Sequence, residues 1–503
     1  MDRKKSILNV VISMSFQIIT MIMGIVVKRM LIQHCGNSVN GLNALYLSII
    51  GLLSVAELGV GSAITFGMYR PIVEGDERQV AALYHLFDRW YKLIGGIVFL
   101  CGLVLIPILP YFAADYLQLD VSLSSTFFCM LVSAVLTYLF GAKTALINAY
   151  KNNYVTTPIY SVGMIIQYVL QAAVLIFTQS FIFYLVCRII SVELQWIATN
   201  LISKRKYPAI IATRADLDPG VRIELTKNIR AMFMHKIGGL LVNTVDSVVI
   251  STFLGVALLG KYSNYTAILL SMTSVIMLIF TSLISVVGHM CAKSDKDTAQ
   301  EYCDMFHLIN FCIAMVFFLG YYAVSDSLIS MLFSAELVME RSVIFAVSLN
   351  GFVQFMRRSV MLFRDATGTF YNDRWMSLVE GVANLVLSVI FVRIMGITGV
   401  IVATTLTALL ICHVVEPYVL YKNAFSRFPI RYFIKNYSMI LVYTLAQFVM
   451  ERCMHGGTNS WATLLINGSV SLLISVIICA LALLTNKQAS ARLRNIVGDR
   501  IQK

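Results

Sequence analysis

Apolar residues run along this chain in long blocks rather than in strict alternation. Blocks free or nearly free of charge fall near 6–34, 40–68, 89–112, 122–150, 156–178, 181–203, 231–254, 258–290, 304–324, 338–364, 374–395, 398–422, 435–452 and 461–485. A helix rises about 1.5 Å per residue, so blocks of about 20 residues cross a hydrocarbon core of about 30 Å. Backbone groups in such a core find no water and must pair within their own segment, which predicts helices. The expected fold class is an all-α polytopic membrane protein of about 14 transmembrane helices.

The connections are short and polar. The longest, 204–230, holds Lys204-Arg205-Lys206 and Asp216-Leu217-Asp218-Pro219-Gly220. It has room for an amphipathic surface helix and a turn, not for a catalytic domain. Span 1 runs into Gly36-x4-Gly41, and span 7 runs into Gly255-x4-Gly260, six spans later in the same orientation. A parallel six-plus-six repeat of this kind is what two-lobed transporters show, with a site between the lobes. The expected organisation is an N-lobe over 1–203, a cytoplasmic linker over 204–230, a C-lobe over 231–424, and two further spans with a cytoplasmic tail over 425–503.

Composition agrees with the block pattern. Hydrophobic residues make up 58% and charged residues 13% of the chain, with a mean hydropathy of +0.79, against about 45–50% and 25% in soluble domains. The ten cysteines show no CxxC and no metal-like spacing, so neither a disulfide framework nor a zinc site is expected. The basic start Met1-Asp2-Arg3-Lys4-Lys5 leads into an apolar run that continues past Met30. That is too long for a signal-peptide core, and the first span is expected to stay in the mature protein.

The formal charge of +13 changes meaning once the basic residues are sorted by side. Most fall on the face that carries both termini. Lys28, Arg29, Lys261, Arg341, Arg393 and Arg452 fall on the other, while Arg188 and Lys236 lie inside spans. The positive-inside rule makes the rich face cytoplasmic and the protein a multi-pass membrane protein with both termini inside. Dispersed over many short loops, these charges give no sign of nucleic-acid binding.

Charges inside spans are costly, about 2.5–3.5 kcal/mol at mid-bilayer on insertion scales, and mark partners or wet cavities. The cations are Lys28, Arg29, Lys143, Arg188, Lys236, Arg357 and Arg358; the anions are Glu57, Glu193, Asp246 and Glu380. The surplus is cationic, as a cavity tuned for an anion requires. In span 1, Asn9, Ser13, Gln17, Thr20, Gly24 and Lys28 recur at helical intervals and form one polar stripe. It either lines a cavity or packs against a neighbouring helix. In span 2, Gly51, Ser54, Glu57, Gly61 and Thr65 form a stripe of small residues suited to close packing. Arg29 suits bidentate contacts with phosphate oxygens, and Lys28 offers a point charge; the alternative for both is snorkelling to the outer interface. Glu57 is expected to neutralise Arg29, a proton- or ion-carrying role being the alternative. Arg188 and Glu193, five apart, are each expected to reach another helix. One of Arg357 and Arg358 is accounted for by anchoring at the inner interface.

Several segments together carry a family resemblance. Val39-Asn40-Gly41-Leu42-Asn43, Leu53-Ser54-Val55-Ala56-Glu57-Leu58-Gly59-Val60-Gly61-Ser62-Ala63-Ile64 and Met68-Tyr69-Arg70-Pro71 resemble the opening of the oligosaccharide flippases of Gram-positive bacteria. His235-Lys236-Ile237-Gly238-Gly239, Asn243-Thr244-Val245-Asp246 and Gly260-Lys261-Tyr262-Ser263-Asn264-Tyr265 are similar to the same family in its second half. So are Phe363-Arg364-Asp365-Ala366-Thr367-Gly368, Tyr371-Asn372-Asp373-Arg374 and Glu416-Pro417-Tyr418. The family is the polysaccharide-transporter (Wzx-type) oligosaccharide-lipid flippases, in the superfamily that also holds multidrug exporters and peptidoglycan-precursor flippases.

The resemblance implies two six-helix lobes around a cavity that opens alternately to each side. It implies a substrate, an undecaprenyl-diphosphate-linked oligosaccharide carried from the inner to the outer leaflet for capsule, exopolysaccharide or a related polymer. No cofactor is implied beyond coupling by protons or sodium. Implied partners are membrane lipid, a polysaccharide polymerase and glycosyltransferases. Carried over by position, Arg29, Glu57, Lys236 and Asp246 are cavity residues, while Arg364 and Asp365 hold the inner end of span 10. With the residue reading added, the expected substrate-binding set is Lys28, Arg29, Glu57, Arg188, Lys236, Asp246 and Arg357. Arg29, Lys236 and Arg188 would hold the diphosphate; Glu57 and Asp246 would weaken binding or couple release to an ion. The alternatives are a teichoic-acid or peptidoglycan-precursor flippase, a cationic-drug antiporter, for which the charge surplus has the wrong sign, a polymerase or acyltransferase, for which the outer loops are too short, and a non-transporting scaffold. The sugar has no linear signature.

Overall fold

The computed structural model describes residues 3–57, 60–215, 217, 220, 244–369, 372, 375–455 and 460–486. The described residues hold helices and turns and no strand. The helices are α1 (Arg3–Cys35), α2 (Asn37–Leu53), α3 (Val60–Glu74), α4 (Glu77–Leu105), α5 (Leu123–Ala149), α6 (Asn153–Thr178), α7 (Phe181–Lys206) and α8 (Thr244–Leu254). They continue with α9 (Val256–Lys293), α10 (Lys296–Leu332), α11 (Arg341–Met356), α12 (Arg358–Thr367), α13 (Met376–Thr407), α14 (His413–Leu420), α15 (Ile430–Cys453) and α16 (Trp461–Thr485). The chain is an all-α polytopic membrane protein.

Among the described residues, eight helical segments are long and apolar enough to cross a bilayer uninterrupted. One of them, Met376–Phe425, covers two expected spans, which part where Gly396 adopts a φ of 59°. Other expected spans are helical but broken. Span 2 turns through a 3-10 segment at Ser54–Glu57, and span 10 is interrupted at Arg357, between α11 and α12. Most of span 7 lies outside the described residues. Helices also overrun the apolar blocks: α4 begins at Glu77, because a polar turn exposed to water continues a helix at no cost in backbone hydrogen bonds.

The chain divides into two compact units, Met1–Gly260 and Lys261–Lys503. In the first, α5 packs on α4 and α7, α6 lies between α1 and α7, and α3 lies on α4. In the second, α10 is the hub, touching α11, α15 and α16.

The repeated glycine pairs acquire a physical reason inside the first unit. Gly36 and Gly255 stand just before α2 and α9 with φ of 91° and 90°, a region that a side chain disfavours. Gly41 and Gly260 then let two helix starts meet backbone to backbone: a Cβ on Gly41 would lie 1.8 Å from the Val256 carbonyl oxygen, and one on Gly260 would lie 2.3 Å from that of Asn37. The side-chain amides of Asn37 and Asn40 donate to the carbonyls of Ala257 and Gly260, at 2.8 and 3.2 Å. Asp115 accepts from the Val256 and Ala257 amides, at 2.7 and 3.2 Å, capping α9. The repeat is thus a reciprocal crossing. Gly41→Ala is expected to cost about 1–3 kcal/mol or more, since overpacked sites cannot relax when the obstacle is backbone. Thermal unfolding in detergent reads this as a lowered midpoint, whereas Gly96→Ala, where a Cβ meets nothing within 4 Å, leaves it near wild type.

Candidate anion site in the first unit

The polar stripe of α1 divides its duties. Gln17 is exposed, and the Thr20 hydroxyl is satisfied by its own helix, donating to the Phe16 carbonyl at 2.9 Å. Gly24 is a packing position, its Cβ site 3.1 Å from the Tyr168 hydroxyl of α6. Lys28, one turn further on, is half-buried, and Arg29 is exposed. At the same end of α1, the Cys35 thiol lies 3.4 Å from the Gln179 carbonyl, which holds α1 beside the α6–α7 turn.

Tyr168, against which Gly24 packs, is in turn within electrostatic range of a half-buried arginine. Arg188 sits in α7, with Tyr184 one turn before it on the same helix and Tyr160 and Tyr168 supplied by α6, all close enough to act electrostatically on its charge. Among the described residues, no carboxylate pairs with Arg188. Phenol dipoles are poor counter-ions, so the guanidinium keeps donors for an incoming acceptor, in a fork that fits phosphate oxygens. Buried amides continue the polar wall: Gln171 donates to the Tyr184 carbonyl at 3.1 Å, and Gln195 to the Ser191 hydroxyl at 3.2 Å. Glu193, five residues after Arg188, makes no ion pair with it.

The expected Glu57–Arg29 pair does not form. Glu57 lies at the 3-10 break after α2, and its carboxylate accepts from the Tyr91 hydroxyl of α4 at 2.5 Å; Tyr138 of α5 lies within electrostatic range of it. Gly61 makes room, since a Cβ there would lie 2.5 Å from the Tyr91 hydroxyl. A phenol meets the charge that a cation was expected to meet. Tyr91→Phe is expected to destabilise the protein by about 1–3 kcal/mol, the cost of an unmet buried acceptor. Tyr111→Phe, at a residue 78% exposed, is the comparison that stays within about 0.5 kcal/mol.

Asp246 is 8% exposed in α8, whose Thr244 methyl approaches the Cβ position of Gly51 at 3.1 Å. Lys143 of α5 donates to the Asn200 side chain at 2.6 Å. Lys236 lies outside the described residues.

Arg357 has a different environment, within the second unit. Its guanidinium forks onto Glu416 at 2.8 and 3.2 Å, and reaches Glu380 at 3.2 Å and Gln354 at 2.8 Å. Arg364 adds a contact to Glu416 at 3.5 Å and one to Asp365 at 3.4 Å. Glu416 and Glu380 are 1% and 2% exposed. Two arginines thus face two buried glutamates, and Arg357 is committed to them rather than offered to a ligand. This network went unread in the sequence, although Glu416 was on the page, because partners 59 residues apart share no periodicity.

Neither a family model nor a curated protein sequence matches this chain. Solved structures do. The lipid II flippase MurJ in an inward closed conformation aligns with 97% of this chain and 100% of its own, with a TM-score of 0.62 at 13% identity. An inward-facing multidrug resistance MATE family transporter of the MOP superfamily aligns over 86% of this chain and 99% of its own, at a TM-score of 0.62 and 11% identity. A MOP superfamily transporter from Pyrococcus furiosus, described by the reverse polarity of its binding pocket, covers 88% and 97%, at 0.52 and 14%. The chain therefore has the fold of these flippases and transporters over nearly its whole length.

Proposed function

We propose that this protein is a flippase that carries a diphosphate-bearing, lipid-linked oligosaccharide across the membrane, and that Arg188 with Lys28 forms the part of the path that holds the phosphates. The observation that carries the reading is the half-buried Arg188, ringed by Tyr160, Tyr168 and Tyr184 without a carboxylate partner among the described residues. A sugar diphosphate cannot enter hydrocarbon, because each bare charge costs several kcal/mol to desolvate. Guanidinium and ammonium groups replace water at the phosphate oxygens, and phenols and side-chain amides replace it at sugar hydroxyls. The prenyl tail stays in lipid throughout.

The fold supports transport, and among the structures that share it is one named for a lipid II flippase. The family resemblance read from Val39–Asn43 and its companion segments favours an undecaprenyl-linked oligosaccharide repeat unit for a surface polysaccharide. Glu57, bonded to the Tyr91 hydroxyl instead of a cation, keeps a negative charge near the path that weakens phosphate binding and so favours release. The cationic-drug alternative fits poorly with an arginine as the half-buried charge.

The test is leaflet translocation in proteoliposomes containing the purified protein and a labelled undecaprenyl-diphosphate oligosaccharide. The expected result is protein-dependent movement of the label to the opposite leaflet. Movement of an amphiphilic cation but not of the lipid-linked sugar overturns the reading.

A further inference from the structure

A second basic site stands apart from Arg188 in the first unit. On α4, His85, Asp88, Arg89 and Lys92 occur at i, i+3, i+4 and i+7, which places them on one helical stripe, and Arg214 closes over it. Together they line a polar cavity of about 470 Å³. Lys143 lies within electrostatic range of Asp88, Lys92 and Lys204 and enlarges the positive field. Among the described residues, Asp88 is the only acid in the lining, and it is already engaged by Lys92 at 2.6 Å. Arg89 and Arg214 are exposed and make no ion pair among the described residues. The His85 Nε2 is buried without a hydrogen-bond partner.

Anchoring by the positive-inside rule explains basic residues near this end of a span, yet it does not require them to converge on one concavity. The contrast within the same molecule is informative. A larger cavity in the second unit, of about 530 Å³, has an almost wholly apolar lining, and its one arginine, Arg341, is neutralised by Asp326 and Glu451, both at 2.7 Å. The α4 cavity leaves Arg89 and Arg214 without an ion pair among the described residues.

We propose that the cavity lined by His85, Arg89, Lys92 and Arg214 is a binding site for a phosphate-bearing anion, either a soluble phosphate or diphosphate or the phosphodiester headgroup of an acidic lipid. Arg89 and Arg214 supply charge-assisted donors, the unpartnered His85 nitrogen makes a further contact, and Lys92 exchanges Asp88 for the anion. The site stands independently of the transport reading, since its test measures binding and not translocation.

The full-length protein in phosphatidylcholine nanodiscs is titrated with inorganic pyrophosphate and with inorganic phosphate by calorimetry. In a second arm, nanodiscs containing phosphatidylglycerol are analysed for lipid retained on the protein by native mass spectrometry. Arg89→Gln/Arg214→Gln is compared with Lys422→Gln/Arg427→Gln, which removes the same charge elsewhere, and with Arg89→Lys/Arg214→Lys. The site variant is expected to bind about tenfold more weakly, as the loss of charge-assisted bonds implies, while the second-unit variant matches wild type and the lysine variant recovers part of the binding. Saturable pyrophosphate binding identifies a soluble phosphate. Retention of phosphatidylglycerol alone, lost in the site variant, identifies a lipid headgroup. Equal losses in the site and second-unit variants, or no binding in either arm, overturn the proposal.

Discussion

Arg188→Gln is expected to lower the translocation of a lipid-linked oligosaccharide diphosphate by about 10–100-fold, the equivalent of the roughly 1.5–3 kcal/mol carried by a hydrogen bond to a charged group. Arg188→Lys keeps the charge and loses the planar fork, so it falls between wild type and Arg188→Gln. The side chain makes no ion pair among the described residues, so its removal breaks none that is seen there, and expression with a monodisperse elution profile is expected for both variants. Tyr168→Phe, which alters one wall of the same site, is expected to lose severalfold in transport. Translocation rates measured in proteoliposomes at matched protein density check the series. Unchanged transport by Arg188→Gln would remove Arg188 from the path.

The second large effect is on stability and belongs to the second unit. Arg357→Gln leaves the Glu416 carboxylate, 1% exposed, with only the 3.5 Å contact to Arg364 and removes the 3.2 Å partner of Glu380. Breaking a buried ion pair from one side costs roughly 3–5 kcal/mol. Glu416→Gln is expected to fall in the same range, because it removes the carboxylate that Arg357 forks onto and Arg364 also reaches. The double variant loses less than the sum, since partners in one network are not additive. Unfolding midpoints in detergent for the two single variants and the double variant decide this. A near-wild-type midpoint for Arg357→Gln would show that the network contributes little.

The sequence revealed the helices and their polytopic arrangement because bilayer thickness imposes a length on every apolar block, and length is a one-dimensional property. The Gly36/Gly41 and Gly255/Gly260 repeat was also visible as a spacing, though its reason, two helix starts crossing through Asn37, Asn40 and the carbonyls of Ala257 and Gly260, needed three dimensions. Charges within spans were legible as candidates; their partners were not. Sign alone pairs Glu57 with Arg29, whereas the structure gives it the Tyr91 hydroxyl, a phenol that carries no signal in a count of charges. Arg357 read as a free cation until Glu380 and Glu416 were seen against it. Arg188 kept its candidacy for the complementary reason: its neighbours are tyrosines. The stripe of His85, Asp88, Arg89 and Lys92 was present at helical spacing all along, hidden among residues that topology already explained.

The most direct measurement is equilibrium binding of undecaprenyl diphosphate, without any sugar, to the purified protein in neutral nanodiscs, set against undecaprenol and against Arg188→Gln. Saturable binding of the diphosphate that is at least about tenfold tighter than binding of the alcohol, and that weakens by a similar factor in Arg188→Gln, is what a charge-based phosphate site predicts. Equal affinity for the alcohol, or undiminished affinity in Arg188→Gln, would contradict it.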